Sequence, residues 1–586
     1  MSSDLDHFIE TINHRYVALH ETYEDAFWQS KMGLNDNPGS VSSSLAALNA
    51  FLSSSANLDA VNEALLHDDM SPLQLTTLQN LKNVSSAIRC LILQRRNKDL
   101  EIGYVDPETS NFIHSSTVQL ANLLRTNPDH HVRKAAFIGL RQANVPLLRE
   151  FCCIINHRNR LAKMLGYSDF YEYKTQTTER MSKEEVFKIL EDIRLKTREP
   201  FLDYLNDMKM RNGDSAVEPW NLPFYSSGSV TSEIDPYFSF KNSVRIWLNC
   251  FSSLGVTFRG SSLTLDLLDR PDLVTFLKGS FTPPKLILPP CVLPGQVGSG
   301  FTALKTLIHE GGHAAAFANC LVASPLFSQE RAPFSVINAE CQSMFMDSMI
   351  EDGDFMAQFA VNEEGDVIPF ELLERFYKAK QPEKLLRLRT MLLVPFFERE
   401  LYQMSEEEVL PDKILDLADR IEKRILLGLN SPRPLISVPH IYSWESSAYY
   451  HSYVLAQCAV ETTRDHFETK YGENLLHNFN IGVDLANEFW RWGCVKEFGE
   501  ILNNLTGKHL SSDDLIFSVL QPADDVIKQN KRKYDRSLWR KGWWKKGIPD
   551  IGLHLRVCDG KDVICDSDLI SIDDCVNVFE KWLNSK

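Results

Sequence analysis

A mostly α-helical fold with a small β part is what this 586-residue sequence predicts. Apolar residues recur at three- and four-residue spacing through most of the chain, and strand-like segments are few. One stretch rich in Gly, Pro and Ser, at 212–235, interrupts the helical pattern. It divides the chain into an N-terminal helical subdomain, 1–213, and a second subdomain, 214–586, that ends in a basic segment, 528–586.

The elements follow in chain order. Phe8, Ile9, Ile12, Tyr16, Leu19, Tyr23 and Phe27 form an apolar stripe, the mark of a helix with one buried face. The pattern returns at 83–94 and at 132–165. Pro146 should break the second of these, because proline lacks the amide hydrogen that the helix needs, and Gly166 should end it. Ser182 and Glu185 make a capping box ahead of Val186, Ile189, Leu190 and Ile193. Segments 273–277, 285–288 and 553–557 read as strands, the last followed by a turn at Asp559-Gly560. A further helix starts after Gly298-Ser299-Gly300. Another covers 339–352, capped by Asn338, and helices resume through the 380s to 420s and the 440s to 520s.

Composition narrows the function classes. With 44% hydrophobic and 24% charged residues the chain is ordinary for a soluble protein. The longest notable apolar run, 391–397, is too short to span a bilayer, so no membrane partner is expected. A formal charge of −16 argues against nucleic acid as a partner, since phosphate binding draws on excess Lys and Arg. The segment 531–546, KRKYDRSLWRKGWWKK, has residue types suited to phosphates and stacking. In so acidic a chain it reads better as a basic surface helix and loop whose tryptophans pack inward. The opening MSSDLDHFIE holds three acidic groups and no Lys or Arg, unlike a secretory or transit segment, which leads us to expect a cytoplasmic protein. Twelve scattered cysteines without a CxxC pair fit a reducing compartment. Cys341 adjoins a candidate metal ligand, which sets oxidant sensitivity against the simpler reading of an inert buried thiol.

The chemistry concentrates in His309-Glu310-Gly311-Gly312-His313. Residues four apart share a helix face, so both histidines can reach one ion, and Glu310 can meet a water bound to it. Zinc suits such a site because it takes nitrogen and oxygen ligands tetrahedrally and leaves a position open. A match to this pattern arises by chance in only about a few per cent of chains of this size. Ala303, Leu304, Leu307 and Ile308 before it and Ala314–Phe317 after it make the helix apolar, and buried histidines need partners. Two glycines inside a helix cost about 1 kcal/mol each relative to Ala, which implies a close approach to the backbone there.

A catalytic site needs a third ligand. Glu330, Glu340, Asp347, Glu351 and Asp352 are the downstream candidates. Glu340, Ser343 and Asp347 fall three and four apart and form a polar stripe on an otherwise apolar helix. Glu340 is assigned as ligand, Asp347 as acceptor for a ligand histidine's N–H, and Ser343 as further support. Glu351 and Asp352, beside Gly353, are expected to be solvated.

With these residues the sequence resembles the M3 family of zinc oligopeptidases, the thimet oligopeptidase and oligoendopeptidase F group. His309–His313 is similar to the family's His-Glu-x-Gly-His. Glu340, Ser343 and Asp347 are similar to its Glu-x-x-Ser-x-x-x-Glu, with Asp in the last place. Arg158–Tyr167 with Tyr173 resembles a family helix, and Pro219-Trp220-Asn221 with Phe224-Tyr225 a Trp-Asp motif, here with Asn. His440, followed by Tyr442, Tyr449, Tyr450 and Tyr453, resembles the His-and-Tyr segment that lies over the metal. Glu445 and Ser452 stand where tyrosines would be expected.

The resemblance implies an elongated two-subdomain helical metallopeptidase fold with a deep central channel and the β part near the active site. It implies one zinc per chain, Glu310 as general base, and His440 with Tyr449 or Tyr450 at the oxyanion. The expected function is that of a zinc metalloendopeptidase acting on short unstructured peptides, as a monomer or weak homodimer. The rivals are a dipeptidyl carboxypeptidase or metallocarboxypeptidase and, outside enzymes, a zinc-stabilised peptide-binding scaffold.

Overall fold

The first apolar stripe folds as a helix, Ser2–Lys31, and buries Ile12 and Tyr16 against the helices Ser40–Leu52 and Ser55–Ala64. The computed structural model describes residues 2–31, 39–52, 54–65, 70–71, 74–75, 78, 102–266, 280–282, 285–288, 300–322, 335–443 and 446–585. The helix expected at 83–94, the strand expected at 273–277, and Glu330 and Glu445 lie outside the described residues.

The pattern at 132–165 becomes two helices, His130–Gln142 and Leu148–Met164, separated by a single tight turn at Val145–Leu147 that carries Pro146. Gly166, at φ 91°, ends the second. Ser182 accepts from the Glu185 amide at 3.2 Å while Glu185 accepts from the Ser182 amide at 2.9 Å, so the capping box starts helix Lys183–Lys196.

Residues 212–235 are less of a linker than their composition suggests. They contain a helix, Leu222–Ile234. Ser226 is accommodated in it because its hydroxyl finds local partners: it donates to the Leu222 carbonyl at 2.7 Å and lies 2.9 Å from the Tyr204 hydroxyl. The largest apolar core runs through this stretch, from Leu148 to Phe579. Two smaller cores stand apart, one under the first helices and one around Leu120, Leu124 and Phe137.

Among the described residues the strands form two sheets. β1 (Gly103–Val105) and β2 (Phe112–His114) make an antiparallel pair. In the second sheet β3 (Ser261–Asp266) lies between β5 (Lys285–Leu288) and β6 (Leu553–Asp559), parallel to both. β4 (Ser280–Thr282) and β7 (Asp562–Asp566) close its edges antiparallel. The turn at Asp559-Gly560 joins β6 to β7, with Gly560 at φ 66°. The C-terminal segment is thereby built into the body of the fold. Trp544 is buried and donates its indole N–H to the Gln358 carbonyl at 3.0 Å, Tyr534 donates to the Ile368 carbonyl at 2.8 Å, and Trp539 stays exposed.

The sheet touches the motif helix, Gly300–Asn319, at its C-terminal end. Arg259, just before β3, donates to the Asn319 side chain at 2.6 Å, and Asn319 donates to the Thr257 carbonyl at 2.7 Å. A central cavity of 1630 Å³ opens between the early helices, which contribute Tyr23, Phe27 and Leu124, and the later ones, which contribute the motif residues. The fold is thus mostly helical and elongated, with the small sheet against the motif helix. Among the described residues no helix is long and apolar enough to cross a membrane.

Candidate metal centre

The motif helix and the helix Val336–Ser348 cross directly over one another, and the two glycines show why they can. A Cβ on Gly312 would lie 2.8 Å from the Ser343 Cα, and one on Gly311 would lie 2.1 Å from Nε1 of the buried Trp247. No larger residue fits either position without moving a neighbour. Gly311→Ala and Gly312→Ala should therefore each destabilise the fold by about 1–3 kcal/mol through overpacking. Helix propensity alone would give the opposite sign, a gain of about 1 kcal/mol. Thermal melts of the two variants decide between them.

This close crossing brings the ligands together. Donor atoms of His309, His313 and Glu340 all lie within 4.8 Å of one another, with His309 Nε2 3.6 Å from Glu340 Oε2. A tetrahedral zinc with donor bonds of about 2.1 Å needs donor–donor edges of about 3.4 Å, so the set fits that ion with small side-chain adjustments. His309 Nδ1 lies 2.8 Å from Asp347 Oδ2, which leaves Nε2 directed to the ligand cluster. The His309 and His313 rings meet edge to face at 5.0 Å, and His313 stacks on Phe317. Ser343 turns to its own helix. Its hydroxyl donates to the Glu340 carbonyl at 3.1 Å, and its small size permits the crossing at Gly312.

The electrostatics suit a divalent cation. Burial pushes Glu340 up to about 7, with Glu310 and Asp347 adding to it and His309 opposing. Burial also raises Glu310. Burial alone would lower His309, but the hydrogen bond and charge of Asp347, aided by Glu340, outweigh it and hold the ring at about 9. His313 is driven well below its ordinary value by burial, with the charge of His309 adding to it, and stays neutral. Three crowded carboxyl groups beside a neutral imidazole form a donor set that a metal ion would relieve. Cys341 is the inert case: burial pushes its thiol up to about 12.

Two sequence expectations change here. The helix bearing Glu340 is capped by Ser335, whose oxygen accepts from the Asn338 amide at 3.2 Å, three residues before the expected cap. Glu351 and Asp352 are held in ion pairs along the cavity wall. Lys305 lies 2.6 Å from Glu351, and Arg464 donates to both oxygens of Asp352 at 2.8 and 2.7 Å. Desolvation alone would raise the half-buried Glu351, yet the charges of Lys305 and Lys380 hold it well below the ordinary carboxylate range.

The second half of the site is assembled from turns. His440 sits in the tight turn Pro439–Ile441, which the buried Arg158 grips by donating to the Ile441 carbonyl at 3.1 Å and the Tyr442 carbonyl at 3.2 Å. Further on, the Ala448 amide donates to the buried Glu398 at 2.8 Å, fixing the entry to helix His451–Tyr471. The His440 ring then packs at 5.1 Å on Tyr450, 6.0 Å on Tyr453 and 6.5 Å on Tyr449. Burial raises the phenols of Tyr449 and Tyr453, and the charge of Glu340 raises both further. The field of the ligand thus reaches Tyr453 as well as Tyr449. His440, Tyr449, Tyr450 and Tyr453 all line the cavity that holds His309, Glu310, His313 and Glu340. Sequence reasoning named Tyr453 within the His-and-Tyr segment but missed that the charge of Glu340 reaches it. It also missed Arg158 as the residue that grips the His440 turn. The Asn of the Trp-Asn motif, Asn221, accepts from the buried Arg133 at 2.7 Å and supports the wall away from the ligands.

Comparison with known proteins places these features in a wider group. The model of peptidase family M3 matches residues 123–260 and 300–519. Over 148 residues the chain is 31% identical to the mitochondrial intermediate peptidases of Homo sapiens and Pongo abelii. That region covers 24% of this chain and 20%, or a fifth, of each relative's length. Among solved structures, Trypanosoma cruzi metallocarboxypeptidase 1 superposes with a TM-score of 0.56 at 16% identity, over 90% of this chain and 99% of that one. The M32 carboxypeptidase from Deinococcus radiodurans R1 gives 0.53 at 13% identity, over 91% and 98%. At these identities the likeness is one of fold.

Proposed function

This chain belongs to peptidase family M3, and from that premise we propose that it is a zinc-dependent metalloendopeptidase that hydrolyses peptide bonds in short, unstructured peptides. The observation that carries the proposal is the convergence of His309, His313 and Glu340 within 4.8 Å, with Glu310 beside them in the same cavity. Zinc held by those three residues would supply Lewis acidity, polarising a scissile carbonyl and acidifying water.

The chain's own groups do the rest. Glu310 takes a proton from the attacking water on its carboxylate and returns it to the leaving amine nitrogen. Asp347 keeps the His309 Nδ1 proton in place, so that Nε2 carries the lone pair. His440 and the phenols packed around its ring, Tyr449, Tyr450 and Tyr453, are the groups placed to donate to the developing oxyanion. A cavity of 1630 Å³ walled by helices suits an extended peptide better than a folded protein. Free thiols such as Cys250, Cys341 and Cys458 support a reducing compartment, and the cytoplasm is the one we propose.

A carboxypeptidase is the second reading, and one residue favours it. Arg433 lines the cavity, is exposed, and makes no ion pair among the described residues. Its loop is fixed by the buried Glu422, which accepts from the Ser431 amide at 3.0 Å and the Leu435 amide at 2.9 Å. A cation presented in this way suits a substrate's terminal carboxylate. Two of the structural neighbours are named as carboxypeptidases.

Mass mapping of fragments from a mixed peptide pool, each peptide offered with a free and with an amidated C-terminus, tests both readings. Internal cleavage of both forms that stops with a chelator is the expected result. Loss of the amidated substrates alone would favour the carboxypeptidase. Absence of any chelator-sensitive cleavage would sink the proposal.

A further inference from the structure

We propose that Glu179 is a positioning residue that locks the helix carrying Glu340 and the helix carrying the tyrosines in catalytic register, an inference that rests on the peptidase reading above. Glu179 ends the short turn Thr175–Glu179 and is only 4% exposed. Its Oε2 accepts from the Ser335 hydroxyl at 2.6 Å. Its Oε1 accepts from the Val336 amide at 3.0 Å and from the Ser452 hydroxyl at 2.6 Å. One carboxylate therefore joins three elements.

The two helices it joins carry the two halves of the site. Ser335 caps Val336–Ser348, and Glu340 stands one turn after Val336 on the same face. Ser452 lies in the first turn of His451–Tyr471, between Tyr450 and Tyr453. The first-turn amides of a helix carry partial positive charge, so a carboxylate at Val336 is favoured there, and hydroxyl donors at 2.6 Å are typical of bonds to a charged acceptor. The same segment holds the tyrosine helix a second time: the Tyr171 hydroxyl lies 2.9 Å from His451 Nδ1. The chain then reverses at Arg180, which takes the left-handed backbone conformation with φ 55°.

The geometry explains Ser452, which stands where the family resemblance leads one to expect a tyrosine. Its hydroxyl is spent on Glu179 rather than on the cavity. The metal half is fixed by local spacing, whereas the tyrosine half reaches it only through contacts of this kind. Oxyanion donors must sit within a few tenths of an ångström of their productive place, so a loosened strut should act on the transition state more than on substrate binding.

The test uses full-length Glu179→Gln, Ser452→Ala and Ser452→Thr. Glu179→Gln keeps the shape and removes the charge, Ser452→Ala removes one of the three bonds, and Ser452→Thr restores a hydroxyl. The measurements are zinc content, melting temperature, kcat and KM, and calorimetric affinity for a phosphinic peptide that mimics the tetrahedral adduct. The first two variants should hold zinc like the parent and keep KM, while kcat and phosphinic affinity fall together by about tenfold or more. Ser452→Thr should regain most of the loss. Variants that melt lower yet keep parental kcat and phosphinic affinity would overturn the inference, since a merely structural role predicts that outcome. Should Glu179→Gln fail to fold, Ser452→Ala alone decides. A parent enzyme inert to every peptide would remove the reading on which the inference rests, whereas an active parent with unaffected variants refutes only the strut.

Discussion

Glu310→Gln is expected to bind one zinc per chain and to lose about 10²–10⁴-fold in kcat, the usual contribution of a positioned general base. Gln keeps the size and hydrogen-bonding shape of the side chain but accepts no proton at neutral pH. The zinc donors, His309, His313 and Glu340, are untouched, so metal content should stay at the parental level. A further expectation separates loss of the base from general damage. Burial raises the Glu310 carboxyl, and its charge raises Glu340 in turn. A carboxyl whose pKa rises on folding costs stability once the pH exceeds its ordinary value, because the folded protein then resists ionising it. Removing that charge should therefore leave the metal-free variant melting no lower than the metal-free parent at pH 7. Near-parental turnover by Glu310→Gln would end the mechanism. A lower melting temperature would instead point to Glu310 as a structural group.

Asp347→Asn should weaken zinc binding by about 10–100-fold, the usual cost of losing the acceptor that orients a ligand histidine. The carboxylate accepts from His309 Nδ1 at 2.8 Å and holds the ring at about 9 against the effect of burial. Without its charge the imidazole is a weaker base, and the neutral amide can also rotate to present its NH₂ to the ring. Asp347→Glu tests whether the shorter acid matters. It keeps the charge and should retain most of the affinity if the ring can follow one added methylene. Competition with a chelator of known affinity measures both. A dissociation constant for Asp347→Asn within threefold of the parent's would show that His309 is oriented by packing alone.

The two halves of the site differed in how far they could be read from the residues. His309, Glu310 and His313 were legible because four-residue spacing on one helix fixes a shared face whatever surrounds it. Glu340 and Asp347 were legible for the same reason, as a polar stripe on an apolar helix. The glycines between the histidines pointed to a close neighbour, and the identity of that neighbour, Ser343 on one side and Trp247 on the other, came from packing. Ser343 belonged to the polar stripe by spacing, yet its place is in that crossing rather than beside the metal. His440 lies in a turn with no period to reveal which way a side chain faces. The residues alone therefore did not show that its ring packs on Tyr449, Tyr450 and Tyr453 together.

By itself the sequence determined the helical class, the candidate metal motif and its third candidate ligand, because each is written within one helix or a short span where backbone geometry is fixed. Only the tertiary structure decided how the two helices cross, that Arg158 and Glu398 hold the His440 segment, and that Glu179 ties Ser335 to Ser452. Apart from the helix crossing, these contacts join residues separated by 50 to 284 positions. They depend on which buried donors and acceptors remain to satisfy one another once the core has formed. Local spacing carries no information about that pairing, so the motif helix could be read in advance, and the oxyanion side could not.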